Sequence, residues 1–125
     1  MAYTETRFAD TQQLGTAASA AVINSSGQKA YVHQILAMNC GTAAAYLKLY
    51  RVPDVGGTAT GTAVGTGSGA NQIYEYQLAA RESKIIDFVK QGVVLKDAYD
   101  SIQWNSDVAN SVVVSMDGAT SLSTE

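Results

Sequence analysis

The chain has 125 residues, a formal net charge of -3 and only 15% charged residues, a length that suits one domain able to bury a core without disulfides. The acidic balance argues against nucleic acid, which needs basic surface to displace counterions, and no apolar run approaches a membrane span. A single cysteine, Cys40, excludes an internal disulfide.

Residues 1–19 are mixed and polar, with Tyr3, Phe8 and Leu14 as the large apolar side chains, and read as an N-terminal arm or lead-in. The opening MAYTETRFAD has no apolar signal-peptide core, so synthesis in a reducing cytoplasm is expected. AAVI (20–23) precedes the turn signal NSSG, whose NSS at Asn24 matches a glycosylation sequon by chance if the chain is not exported. YVHQILAMNC (31–40) runs to a tight Gly41-Thr42 turn, and AAYLKLYRV (44–52) stops at Pro53-Asp54. After a glycine-rich stretch come QIYEYQL (72–78), SKIIDFV (83–89), GVVL (92–95), SIQWN (101–105) and NSVVVSM (110–116). Residues 119–125 read as a tail.

Several segments alternate with period two, as half-buried strands do. Ala45, Leu47 and Leu49 share one face, and Tyr46, Lys48 and Tyr50 the other. In 31–40, Val32, Leu36, Met38 and Cys40 form one face; Tyr31, His33 and Ile35 form an unusually apolar opposite one. Short strands at roughly ten-residue spacing with turns between them predict an all-β fold, an antiparallel β-sandwich of jelly-roll or Ig-like type over 20–118. Its expected core is Val32, Leu36, Leu47, Leu49, Trp104, Val112 and Val114. Residues 76–91 also contain good helix formers: Leu78, Ile85, Ile86 and Val89 fall near helical spacing, with Glu82 the misfit. Strand-turn-strand is the preferred reading there and a helix the second.

The stretch GGTATGTAVGTGSGA (56–70) carries no charge. It has no Lys-Ser or Lys-Thr to make a phosphate loop and no dinucleotide glycine pattern. Thr58, Thr60, Thr62, Val64 and Thr66 alternate with glycine and alanine, giving a β-branched face opposite a nearly bare one. A mobile loop and an extended arm that orders against a neighbouring subunit both fit this pattern, within a Gly/Thr-rich loop spanning 54–70.

No catalytic set emerges, and no metal or cofactor is expected. His33 lies mid-strand and has only Cys40 for a zinc partner; Cys40 reads as a small buried hydrophobe at a strand end. Asp97 and Asp100 lack the ligand series of a calcium loop and read as turn carboxylates. Glu75, Glu82 and Asp87 read as solvent-facing charges. The seven tyrosines and Trp104 suit core and interface positions more than a sugar-stacking platform. Low charge with abundant small residues suits burial against other subunits, centred on Tyr31, Ile35, Tyr46 and Tyr50 with the 58–66 face.

The run YVHQILAMNCGTAAAYLKLYRV resembles the opening of small β-sandwich proteins of tailed-bacteriophage virions, where an Asn-plus-small-residue turn leads into an a-Y-L-x-L-Y strand. IYEYQLAARESKIIDFVKQGVVLKDAYDSIQW and NSVVVSMDG resemble the later strands of that family, although Tyr99 stands where those proteins often have glycine. The resemblance spans residues 20–118. It implies a non-enzymatic virion component made in the host cytoplasm, such as a capsid decoration, head-tail neck or tail accessory protein. Its partners would be copies of itself and other virion proteins. A carbohydrate- or receptor-binding β-sandwich is the alternative.

Overall fold

The computed structural model describes residues 4–25, 27–52, 72–88, 93–95 and 100–122. Among them are nine strands and no helix: β1 (Thr4–Gln13), β2 (Ser19–Ile23), β3 (Gln28–Asn39), β4 (Ala45–Val52), β5 (Gln72–Leu78), β6 (Ser83–Asp87), β7 (Val93–Leu95), β8 (Ser101–Ser106) and β9 (Val112–Leu122). The first sheet has the order β1-β9-β3-β6, with β7 also paired to β3; the second has the order β2-β8-β4-β5. Every pairing is antiparallel. The inner faces meet in one hydrophobic core that includes Leu47, Leu49, Trp104, Val112, Val114 and Met116.

Two boundaries differ from the sequence reading. Thr4–Gln13 is not a lead-in but an edge strand paired along β9, with Ala9 buried and Phe8 packed against the core. The closing strand continues to Leu122 instead of ending near residue 118. Both segments are mostly polar, so apolar periodicity carries little signal there; their backbone pairing supplies the order.

The largest correction lies in β3. The pairing of β3 with β9 slips between Val32 and Gln34, a bulge at His33. A bulge inserts one residue and so reverses which side chains face inward beyond it. Ala30 and Val32 point into the core before the bulge; Ile35, Ala37 and Asn39 do so after it. Leu36, expected in the core, is 40% exposed, and Ile35, expected outside, is fully buried. One sequence signal does mark the site. In Val32-His33-Gln34-Ile35 two polar residues stand side by side where strict alternation would place one.

The 76–91 region is strand-turn-strand over its described residues. Glu82, the misfit of the helical reading, makes the turn: its carboxylate accepts from Ala79 N at 2.8 Å and Tyr76 Oη at 2.9 Å. Arg81 takes a left-handed φ of 66° at the same turn. The connection carries the chain from the edge of the second sheet (β5) to the edge of the first (β6).

The β3–β4 corner is held by one side chain. Asn39, fully buried, donates through Nδ2 to the carbonyls of Ala43 (2.8 Å), Leu78 (3.1 Å) and Ala79 (3.2 Å). Its Oδ1 accepts from Gly41 N (2.9 Å) and Ser111 Oγ (2.7 Å). A Cβ at Gly41 would collide with Ser111 Oγ and displace the hydroxyl that donates to Asn39.

Candidate functional site

The four aromatic and apolar residues expected to centre an interface are not brought together on one surface. Tyr31 and Ile35 belong to the first sheet, Tyr46 and Tyr50 to the second. Ile35 is in the core, and Tyr31 and Tyr50 are buried although they lie outside it. Tyr50 donates to Asn105 Oδ1 at 3.0 Å, and Ser121 Oγ lies 3.5 Å from Tyr31 Oη. Only Tyr46 is half-buried; Lys48 Nζ stands 6.0 Å from its ring centroid and 3.9 Å from Glu75. Thr58, Thr60, Thr62, Val64 and Thr66 lie outside the described residues, as does Asp97.

The bulge at His33 builds a different surface. Beyond it, Leu36 and Met38 project from the outer face of the first sheet, each 40% exposed. Ile85 of β6 lies directly across from Leu36 and is 57% exposed. Val113 of β9 lies across from Met38. With Thr11, Ser83 and Ser115 these side chains line a shallow groove of about 720 Å³. Among the described residues that line the groove, the only charged one is Lys84, whose Nζ sits 4.9 Å above the Tyr76 ring. Carboxylates collect at one end of the face: Asp87 is exposed, and Asp117 is paired with Arg7 at 2.9 Å. That pairing raises the Arg7 pKa through its hydrogen bond to Asp117. Sequence reasoning assigned Leu36 and Met38 inward because it carried one parity through the whole strand.

Groups that carry chemistry are dispersed. Among the described residues no three His, Cys, Asp or Glu side chains gather where they would hold a metal ion. His33 sits in the bulge, where its carbonyl accepts from Phe88 N at 2.9 Å. Cys40 is exposed at the β3–β4 corner, not buried as expected, because the parity past the bulge turns Asn39 inward and leaves the next residue on the outside; its backbone N–H donates to Ser111 O at 2.8 Å. Asp100 is buried and its carbonyl accepts from Asn24 N at 2.8 Å. Asn24 is itself fully buried and donates to Gln28 O at 2.9 Å, which leaves its sequon unreachable in the folded chain. Glu82 is engaged in its turn: the Ala79 N–H, then the Tyr76 hydroxyl, hold its pKa below the ordinary value. The same contact with Glu82 raises the Tyr76 pKa. Among the described residues this surface offers apolar contact and sheet edges with no further strand paired to them.

No family model matches the chain, and no curated protein matches it.

Proposed function

We propose that the chain is a non-enzymatic structural protein of a tailed-phage virion, acting through self-association and contacts with other virion proteins. The observation that carries this reading is the uncharged apolar half of the first sheet's outer face, with Leu36, Met38 and Ile85 exposed side by side. A contiguous exposed apolar patch favours burial against another protein surface. Capsid decoration, the head-tail neck and a tail accessory position are equally served by such a face.

The strand order supports a jelly roll over an Ig-like sandwich. With β6 and β7 taken as two parts of one edge on β3, the sheets read first-eighth-third-sixth and second-seventh-fourth-fifth. Two interleaved Greek keys generate that order, and jelly rolls occur in both capsid and lectin domains. Fold therefore leaves the carbohydrate-binding alternative open, and surface chemistry must separate the two readings. A sugar platform needs aromatic faces beside Asp or Asn; the groove of the first sheet is lined by aliphatic, hydroxyl and methionine side chains, with Lys84 at its rim.

Sedimentation velocity over a wide concentration range, with binding to particles assembled without this protein, tests the proposal. Oligomers or particle binding are expected. A monomer at every concentration that also fails to bind particles would overturn it, and saturable binding to a glycan array would favour the alternative.

A further inference from the structure

The outer strands of the two sheets are β1, β6 with the short β7 beyond it on β3, β2 and β5, and they are not equally protected. Edge strands expose unpaired N–H and C=O groups that template pairing with another chain, and bulges are one way proteins blunt them. The β1–β9 pairing slips twice, β2–β8 once and β4–β5 once. The β3–β6 pairing runs from Gln34↔Asp87 to Met38↔Ser83 without a slip. Among the described residues no strand pairs with the far side of β6.

The direction of the free backbone groups follows from the bonds at either end of β6. Asn39 N donates to Glu82 O at 2.8 Å and Phe88 N donates to His33 O at 2.9 Å. In an antiparallel pair the residues that exchange both bonds alternate with those that do not. Lys84 and Ile86 therefore bond to β3, and the N–H and C=O groups of Ser83, Ile85 and Asp87 point away from the sheet. Their side chains lie on the outer face, where Ile85 is the most exposed residue of the apolar patch.

We propose that β6 is a self-pairing edge, on which a second copy of this chain adds its own β6 antiparallel about a two-fold axis at Ile85. This rests on the self-association reading and names its geometry. The segment Ser-Lys-Ile-Ile-Asp is self-complementary in that register. Ile85 faces Ile85 of the second copy, and Ser83 faces Asp87 of the second copy in both directions. All three pairs join residues with outward backbone groups, so each exchanges two N–H···O bonds. The Ser83 hydroxyl donates to the facing Asp87 carboxylate, and no like charges stand opposite each other. Lys84, the residue that would otherwise guard the edge, is turned over the Tyr76 ring and faces Ile86 of the second copy. The two first sheets become one continuous sheet, and the apolar face of Leu36 and Ile85 becomes continuous across the axis.

The test uses the full chain in a Cys40→Ala background. Facing residues in a bonded antiparallel pair have Cα atoms about 5.5 Å apart, within reach of a disulfide. Ile85→Cys is expected to form a covalent dimer on mild oxidation, and Met38→Cys, one strand further from the axis, is not. In sedimentation, Ser83→Lys is expected to tighten the dimer by placing Lys opposite Asp87, and Ser83→Asp to weaken it at least tenfold. A purely structural role for an exposed Ser83 would not give opposite signs. If oligomers form but Ile85→Cys does not cross-link and the two Ser83 variants behave alike, the β6 geometry is wrong and self-association stands. Stronger cross-linking at Met38 than at Ile85 would also overturn it, in favour of face-to-face stacking. If every variant is monomeric at all concentrations, both readings fall.

Discussion

Ser111 Oγ donates a 2.7 Å hydrogen bond to Asn39 Oδ1, and the Asn39 side chain has no solvent access. This contact joins the start of β9 to the end of β3, and the Asn39 amide extends it to the carbonyls of Leu78 and Ala79 beside the β5–β6 turn. One side chain thus ties both sheets at one end of the fold. Asn39→Ala removes the amide from the Ala43 and Leu78 carbonyls and the acceptor from Gly41 N–H and the Ser111 hydroxyl, whereas the Ala79 carbonyl keeps the Glu82 N–H. Unsatisfied buried groups cost about 1–3 kcal/mol each, so a loss of at least about 3 kcal/mol is expected. Ser111→Ala removes a single bond and is expected to cost about 1 kcal/mol. Urea unfolding followed by the fluorescence of Trp104, the only tryptophan and fully buried, measures both.

The bulge at His33 makes a sharp contrast between two leucines. Leu49→Ala opens a cavity between the sheets and is expected to cost about 2–5 kcal/mol. Leu36→Ala removes an exposed side chain and is expected to stay within about 0.5 kcal/mol of the parent. Equal costs in the same urea experiment would mean that Leu36 faces the core.

Gly118 lies where β9 passes close to β3. A Cβ there would collide with the Tyr31 carbonyl and with the Phe8 ring. The ring can shift, but the backbone carbonyl belongs to the ladder and cannot move without breaking pairs. Gly118→Ala is therefore expected to destabilise by about 1–3 kcal/mol, the usual cost of overpacking. A calorimetric melting temperature unchanged by the substitution would contradict this packing.

The β5–β6 turn links stability to pH. The Glu82 pKa is lowered in the folded chain, first by the Ala79 N–H and then by the Tyr76 hydroxyl. A depressed folded value contributes stability above the unfolded pKa, and that contribution is lost as pH falls through the folded one. Stability should therefore decline as pH drops below about 4.3, the ordinary glutamate value, and Glu82→Gln should flatten part of that decline. Melting curves for parent and variant between neutral and acidic pH give the comparison; parallel curves would mean that the turn does not depend on ionised Glu82.

Chelation supplies a further check. No metal-holding group gathers among the described residues, and no ligand series is legible in the sequence, so EDTA should leave the melting temperature unchanged. A fall of several degrees would point to a metal site.

Period-two alternation is local, and it was enough to determine the all-β class and the inward faces of β4 and β9. Leu47, Leu49, Val112 and Val114 are buried as their spacing predicts, because β4 from Ala45 to Leu49 and β9 from Val112 to Val114 pair without a slip and so keep one parity over those residues. The turn at 79–82 was legible as a choice between two readings; it was decided by Glu82, whose carboxylate meets two donors on the β5 side of the turn, the Tyr76 hydroxyl and the Ala79 N–H. Tertiary structure decided the rest. Polar β1 is a strand because β9 offers it a ladder, which composition does not encode. The fate of Leu36, Met38 and Ile35 turned on one inserted residue at His33, whose extra position is defined only against β9. The residues expected at an interface lie on separate sheets for a related reason. Tyr31 and Tyr50 have similar local sequence surroundings but lie on different sheets, and strand order is set by pairings between segments far apart in the chain. The apolar patch of Leu36, Met38 and Ile85 likewise exists only once β3, β6 and β9 are side by side.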